Sequence, residues 1–253
     1  VNVQRKDDSI IRQWQVLAKV CYDGESQTRL AMLMSHINRL PARQAASAHA
    51  EIETAYFLTQ AGFSVAFLEA TGGRTADLEI YEGAHRFFAE VTVIQSTQGS
   101  TRKSMGVRLQ PHRSLESSDA FFEQALVKRL LSRMAEKARQ LERYCAPVML
   151  AVSVPDVPWG KGRRQEIPPL DLQRLAAMLV GVLVEVPQFS AVLLTLWKAP
   201  AQESRNPIRI RQVSWVTRPL GDSQDPRIRL LATNPVARYR LTPRELRMVQ
   251  DAM

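Results

Sequence analysis

Between residues 48 and 94 the spacing of apolar positions changes period, from helical to alternating. Residues 48 to 61 carry Glu51, Ala55 and Leu58 at i, i+4 and i+7, the repeat of one helical face, and end at Gly62, a favoured stop. Phe63 to Leu68 then alternates as a strand. Asp77 to Tyr81 and Arg86 to Ile94 form two further strand patterns, separated by Glu82, Gly83, Ala84 and His85. That short polar spacer with its glycine predicts an antiparallel hairpin.

The same pattern extends over the rest of the chain. Residues 8 to 38 predict one or two helices broken near Asp23 and Gly24, with Ile10, Ile11, Trp14, Leu17 and Ala18 on one stripe. A long helix over 119 to 144 precedes the continuous apolar run 146 to 154, a strand buried on both faces. A helix over 169 to 186 and a buried strand over 191 to 197 follow, and Ile208 to Thr217 alternates as an edge strand does. Thr242, Pro243 and Glu245 form the capping box of a short terminal helix, which gives Glu245 a structural role. The expected fold is α/β, a central mixed sheet flanked by helices. Its expected organisation is a helical N-terminal appendage over 1–40, a core over 41–200, and an Arg-rich extension over 201–253 packed on that core.

Strand side chains alternate, so Glu90 and Thr92 share one face while Ala89, Val91 and Val93 share the other. Asp77, at the start of the neighbouring strand, can approach Glu90. Two close carboxylates either share a proton or bind a cation, and Mg²⁺ (or Mn²⁺) suits a site made only of oxygen ligands. Glu51 lies on the stripe of its helix that faces the sheet, whereas Glu53 is rotated away. An acid on such a stripe costs stability unless something binds it.

In this order, a helical Glu, a Gly-Phe-x-Val strand, an Ala-Asp strand and a Glu-x-Thr strand, the chain resembles the PD-(D/E)XK nuclease superfamily, whose core is the restriction-endonuclease-like fold. The resemblance covers roughly residues 48 to 155 and includes the helix and strand after the hairpin. It implies a metal-dependent nuclease hydrolysing phosphodiester bonds, with Glu51, Asp77 and Glu90 as its acids. It also implies Mg²⁺ held by Asp77, Glu90 and the backbone carbonyl of Val91. The chain departs from the motif twice. Ala76 replaces a proline that stiffens a turn, and Thr92 replaces the lysine that orients the attacking water. Lys137 on the following helix is the candidate substitute for that charge, with Lys103 second; Gln140, one turn beyond Lys137, is a candidate polar site residue on the same face. The alternative implied by Thr92 is a catalytically inactive nucleic-acid-binding or assembly subunit that retains the nuclease fold.

The chain has 253 residues, 45% hydrophobic, enough for a substantial core, and a formal charge of +9. Residues 205 to 253 hold ten Arg and no Lys against four acids. Clustered guanidinium groups suit phosphate, so nucleic acid, DNA first, is the expected partner. A homodimer or a larger defence or mobile-element assembly is left open. Two polar loops, 95–118 and 155–169, carry the expected substrate contacts: Arg102, Lys103 and Arg108 in the first, Lys161, Arg163 and Arg164 in the second. Trp159 beside the second cluster could stack on a base or pack under its loop. Cys21 and Cys145 are expected to be reduced and buried, as in a cytoplasmic protein, and no Cys and His spacing suggests zinc. The longest apolar run, Leu175 to Val184, is roughly half the roughly twenty residues that a bilayer requires, and the polar, charged N-terminus has no secretory pattern.

Overall fold

In the computed structural model of the chain, the described residues are 2–21, 23–69, 76–95, 118–142, 144–155, 170–199, 201–202, 210–219 and 225–253. The helices are α1 (Asn2–Val20), α2 (Gly24–Arg39), α3 (Ala42–Gln60), α4 (Ser118–Gln140), α5 (Leu172–Val184) and α6 (Pro243–Asp251). The strands are β1 (Ser64–Phe67), β2 (Leu78–Glu82), β3 (His85–Val93), β4 (Val148–Val154), β5 (Leu170–Asp171), β6 (Ala191–Leu196), β7 (Ala201–Gln202), β8 (Val213–Thr217) and β9 (Ile228–Thr233). Seven strands form one mixed sheet in the order β1-β2-β3-β4-β6-β9-β8, and β5 and β7 form a separate short parallel pair. The expected α/β class, with helices flanking a central mixed sheet, is the observed one.

Local sequence accounts for the elements. Asp23 caps α2 by accepting from the Ser26 amide at 2.6 Å, so the break between α1 and α2 falls where the sequence predicts it. Gly62 ends α3 with φ +92°, and Gly83 turns the β2–β3 hairpin with φ +59°, conformations that L side chains rarely adopt. At α6 the Thr242 hydroxyl accepts from the Glu245 amide and the Glu245 carboxylate accepts from the Thr242 amide, completing the predicted box.

β3, β4 and β6 run parallel and form the middle of the sheet. Their alternation divides the core into two layers. Leu150, Val152, Val154, Val192 and Leu194 pack with α4 and α5, while Ala89, Val91, Met149, Ala151 and Leu193 pack with α1, α2, α3 and α6. At about 25 cal/mol per Å² this two-sided burial is the main stabilising term, and it fixes register, because a one-residue slip would exchange the layers.

Several details differ from the sequence reading. β9 is an interior strand that the polar and apolar pattern does not announce, because Arg229 interrupts an otherwise apolar run that Arg227 precedes. Within the C-terminal segment, β8 and β9 are strands of the central sheet itself instead of being packed on its outside. Helices α1 and α2 share a continuous core with α3 and the sheet, so the N-terminal segment is integral as well. Neither cysteine forms a disulfide; Cys21 is buried, but Cys145 is exposed, because it lies in the turn before β4. No helix among the described residues is long and apolar enough to cross a membrane.

Asn234, just after β9, is a structural clasp. Its side-chain amide donates to the carbonyls of Leu183, Val186 and Phe189 at 2.8, 3.1 and 2.9 Å, and its oxygen accepts from the Val236 amide at 3.0 Å. It adds side-chain bonds to carbonyls at and just beyond the end of α5 and ties that segment to the sheet. Asn234→Ala removes all of these bonds from a buried side chain and is expected to cost on the order of 2 kcal/mol, read as a lower urea midpoint at unchanged slope. An unchanged midpoint would contradict this account of how β9 is held.

Candidate active site

The β2–β3 ladder ends at Leu78 opposite Ala89, four residues before β3 itself ends. Beyond that point, among the described residues, no strand pairs with β3 on its β2 side, so the backbone there needs another partner. Asp77 provides it. Its amide donates to the Ala89 carbonyl at 3.1 Å, its carbonyl accepts from Leu68 at 2.9 Å, and its carboxylate accepts from the Val91 amide at 2.7 Å. Phe88 and Ile94 direct their amides toward β4, so by alternation the Val91 carbonyl points to the same open side as Asp77.

Ala76 clarifies the first departure from the superfamily motif. Its amide donates to the Tyr144 hydroxyl at 2.7 Å, and the Tyr144 ring meets Phe88 edge to face at 4.6 Å. A proline has no such hydrogen to give. The backbone at Ala76, just before Asp77, is therefore held from outside by a hydrogen bond.

Glu90 is 2% exposed and points into the layer beneath α4. The stripe of α4 that reaches it reads Leu130, Met134, Lys137 and Leu141, at helical spacing, with three buried apolar residues and one cation. Lys137 makes an ion pair with Glu90 Oε1, whereas Glu90 Oε2 is buried with no hydrogen-bond partner. Thr92, 7% exposed, follows on the same face of β3 and brings no charge. A lysine at 92 would start from the strand; here the ammonium arrives from the helix above it.

Glu51 comes from the other side of the sheet, on α3, and is 7% exposed. Arg29 of α2 holds its Oε2 through Nη2 at 2.9 Å. Glu53, two residues on, faces a different neighbourhood and accepts from the Trp197 indole at 3.2 Å. It is buried as well, although it turns away from the other acids, as the helical repeat predicts.

The three acids feel one another through little water. Burial, then the Asp77 charge, push the Glu51 carboxyl up to about 7, against the opposing pull of Arg29. Burial and Asp77 likewise push Glu90 up to about 7, opposed by Lys137. Asp77 is raised by burial too, with the Val91 amide, Lys137 and Arg29 acting the other way. The corner thus contains more acidic charge than its two cations offset.

Two opposite tendencies meet here. Among the described residues, no three of His, Cys, Asp or Glu are arranged as a ready set of metal ligands, since Glu51 is turned to Arg29 and Glu90 to Lys137. The donor chemistry nevertheless fits a hard divalent cation. A buried carboxylate oxygen without a partner and raised carboxyl pKa values are the features that such an ion relieves.

Arg29 was not legible as a site residue, because α2 read as an appendage. The available signal was its position three residues after Ser26 and four before Leu33, both buried, which puts a guanidinium on an inward stripe. Gln140, one turn past Lys137, is half-buried on α4. The expected phosphate contacts Arg102, Lys103, Arg108, Lys161, Arg163 and Arg164, with Trp159, lie outside the described residues. The C-terminal arginines divide. Arg244 pairs with Glu82 at 2.8 Å beside the hairpin turn, which lies about 17 Å along β3 from Glu90. Arg229 lies over the Phe57 ring, with its guanidinium 4.4 Å from the ring centre. Comparison of the chain with protein-family models, with curated proteins and with solved structures gives no match.

The raised carboxyls carry a sign. Each is above its unfolded value of about 4.5, so its contribution to stability is complete below about pH 4.5 and is lost as pH rises through 7. In chelator, the melting temperature is expected to fall between pH 5 and 8 more steeply in the parent than in Glu90→Gln, which lacks one of these titrations. Parallel curves would contradict it. Ala76→Pro and Tyr144→Phe each break the same hydrogen bond, so each is expected to cost about 1 kcal/mol. The double variant should cost less than their sum, and additive losses would show that the two groups act independently.

Proposed function

We propose that the chain is a divalent-metal-dependent nuclease with a restriction-endonuclease-like core, hydrolysing phosphodiester bonds in nucleic acid, DNA in the first instance. The observation that carries this reading is the corner formed by Glu51, Asp77 and Glu90, with the Glu90 Oε2 atom buried and unpartnered. The order helix, strand and acidic hairpin, then helix and strand, matches the PD-(D/E)XK resemblance.

Asp77 and Glu90 would hold Mg²⁺ or Mn²⁺ with the Val91 carbonyl, and Glu51 would complete the set. Such an ion supplies Lewis acidity toward a phosphoryl oxygen and toward water. The residues of the chain do the rest. The Val91 amide fixes the Asp77 carboxylate against the sheet edge, so the acid needs no reorganisation. Lys137 offers the charge that Thr92 lacks, orienting the attacking water and donating to the developing negative charge. Water adds to phosphorus as the bond to one ester oxygen breaks, leaving a phosphate monoester and a hydroxyl end.

The two internal ion pairs favour a second reading, a catalytically inactive nucleic-acid-binding or assembly subunit in which Arg29 and Lys137 replace the metal. Cleavage separates the two. With plasmid DNA and Mg²⁺ or Mn²⁺, the parent is expected to cut, and Asp77→Ala and Glu90→Ala to lose on the order of a hundredfold in rate or more. Lys137→Ala is expected to lose a similar factor with metal affinity retained. A parent that leaves plasmid intact in both metals supports the inactive subunit, and variants that cut like the parent overturn the site.

A further inference from the structure

The two orphaned atoms of this corner have opposite chemistry. Glu90 Oε2 is a buried acceptor without a donor, and Arg29 Nε is a buried donor without an acceptor. Each costs stability as it stands, since a buried polar group without a partner forfeits its hydration. In a guanidinium, Nε–H and one hydrogen of Nη2 leave from the same edge as a fork that fits two oxygens side by side. Glu51 occupies only the Nη2 prong. The fork is half used.

We propose that Arg29 is the phosphate-receiving residue of this site, held in reserve by Glu51 until a divalent cation draws that carboxylate away. The inference rests on the metal-nuclease reading and extends it, assigning the anion contact to a helix outside the region of resemblance. Without metal, Arg29 neutralises Glu51, and the pair closes the corner. With metal, Glu51 turns toward the cation, and both prongs become available to the two non-bridging oxygens of a phosphodiester. One residue thereby couples metal loading to substrate binding, because neither ligand alone satisfies both orphaned atoms. Lysine, a point charge with no fork, could neutralise Glu51 but would grip the phosphate poorly.

The full-length parent, Arg29→Gln and Arg29→Lys test this in two measurements. Calorimetric titration with Mn²⁺ reads the metal site. Fluorescence anisotropy of a labelled random-sequence DNA duplex and of a single-stranded RNA of equal length reads phosphate binding, with Ca²⁺ or with chelator; the polymer that the parent binds more tightly serves as the probe. Arg29→Gln is expected to bind Mn²⁺ within about threefold of the parent and to lose about tenfold or more in nucleic-acid affinity in Ca²⁺, but under about twofold in chelator. Arg29→Lys should fall between them in Ca²⁺, and it carries the test if Arg29→Gln does not fold. An equal loss with and without Ca²⁺, or none, overturns the Arg29 assignment and leaves the metal reading standing. A parent without a Mn²⁺ heat that Glu90→Gln abolishes overturns the metal reading and this coupling together, whereas a parent that shows that heat but binds neither polymer overturns the Arg29 assignment alone.

Discussion

The Asp77 carboxylate bonded to the Val91 amide is the contact on which this architecture turns. A sheet edge buried inside a protein must satisfy its amides, and β3 outruns its hairpin partner just where the helices of both layers converge. A side chain that closes such an edge also fixes an acid in the core. The layers then set the rest: β3 alternation sends Glu90 up beneath α4, while α3 brings Glu51 from below, so charge converges at a gap in the sheet instead of on one face.

That convergence explains the two cations. Buried carboxylates at close range are unstable as neighbours, and their charge is offset either by protons or by positive groups. Arg29 and Lys137 each come from the inward stripe of a helix, one from each layer, and each holds only one oxygen of its acid. The arrangement is over-acidic for its cations, as the carboxyls pushed up to about 7 indicate. A site of this kind gains from a divalent cation more than a balanced pair of salt bridges would.

Much of this was legible in the sequence, and the illegible parts have physical reasons. The hairpin, the inward stripe of α3 and the capping box at Thr242 follow from spacing and turn chemistry, which act within a few residues. β9 was hidden because a strand buried on both faces carries no alternation, and Arg229 breaks the continuous apolar run that marks β4 and β6. Lys137 could be suggested only as a replacement for the charge missing at Thr92, since a lone lysine on a helix is ordinarily solvated. Arg29 was invisible because its partner lies twenty-two residues away on another helix. Ala76 looked like a weakened motif, and only the Tyr144 hydroxyl across the chain explains why an amide is useful there.

As proposed above, Asp77 and Glu90 hold a divalent cation, and Glu51 leaves Arg29 to join them. The most direct measurement is anomalous X-ray diffraction from crystals of the protein grown in Mn²⁺. The account predicts a manganese peak bonded to the Asp77 carboxylate and to Glu90 Oε2, with Glu51 turned from Arg29 toward the ion. Well-ordered crystals with no anomalous peak at that corner, and with Glu51 and Glu90 still held by Arg29 and Lys137, would contradict it.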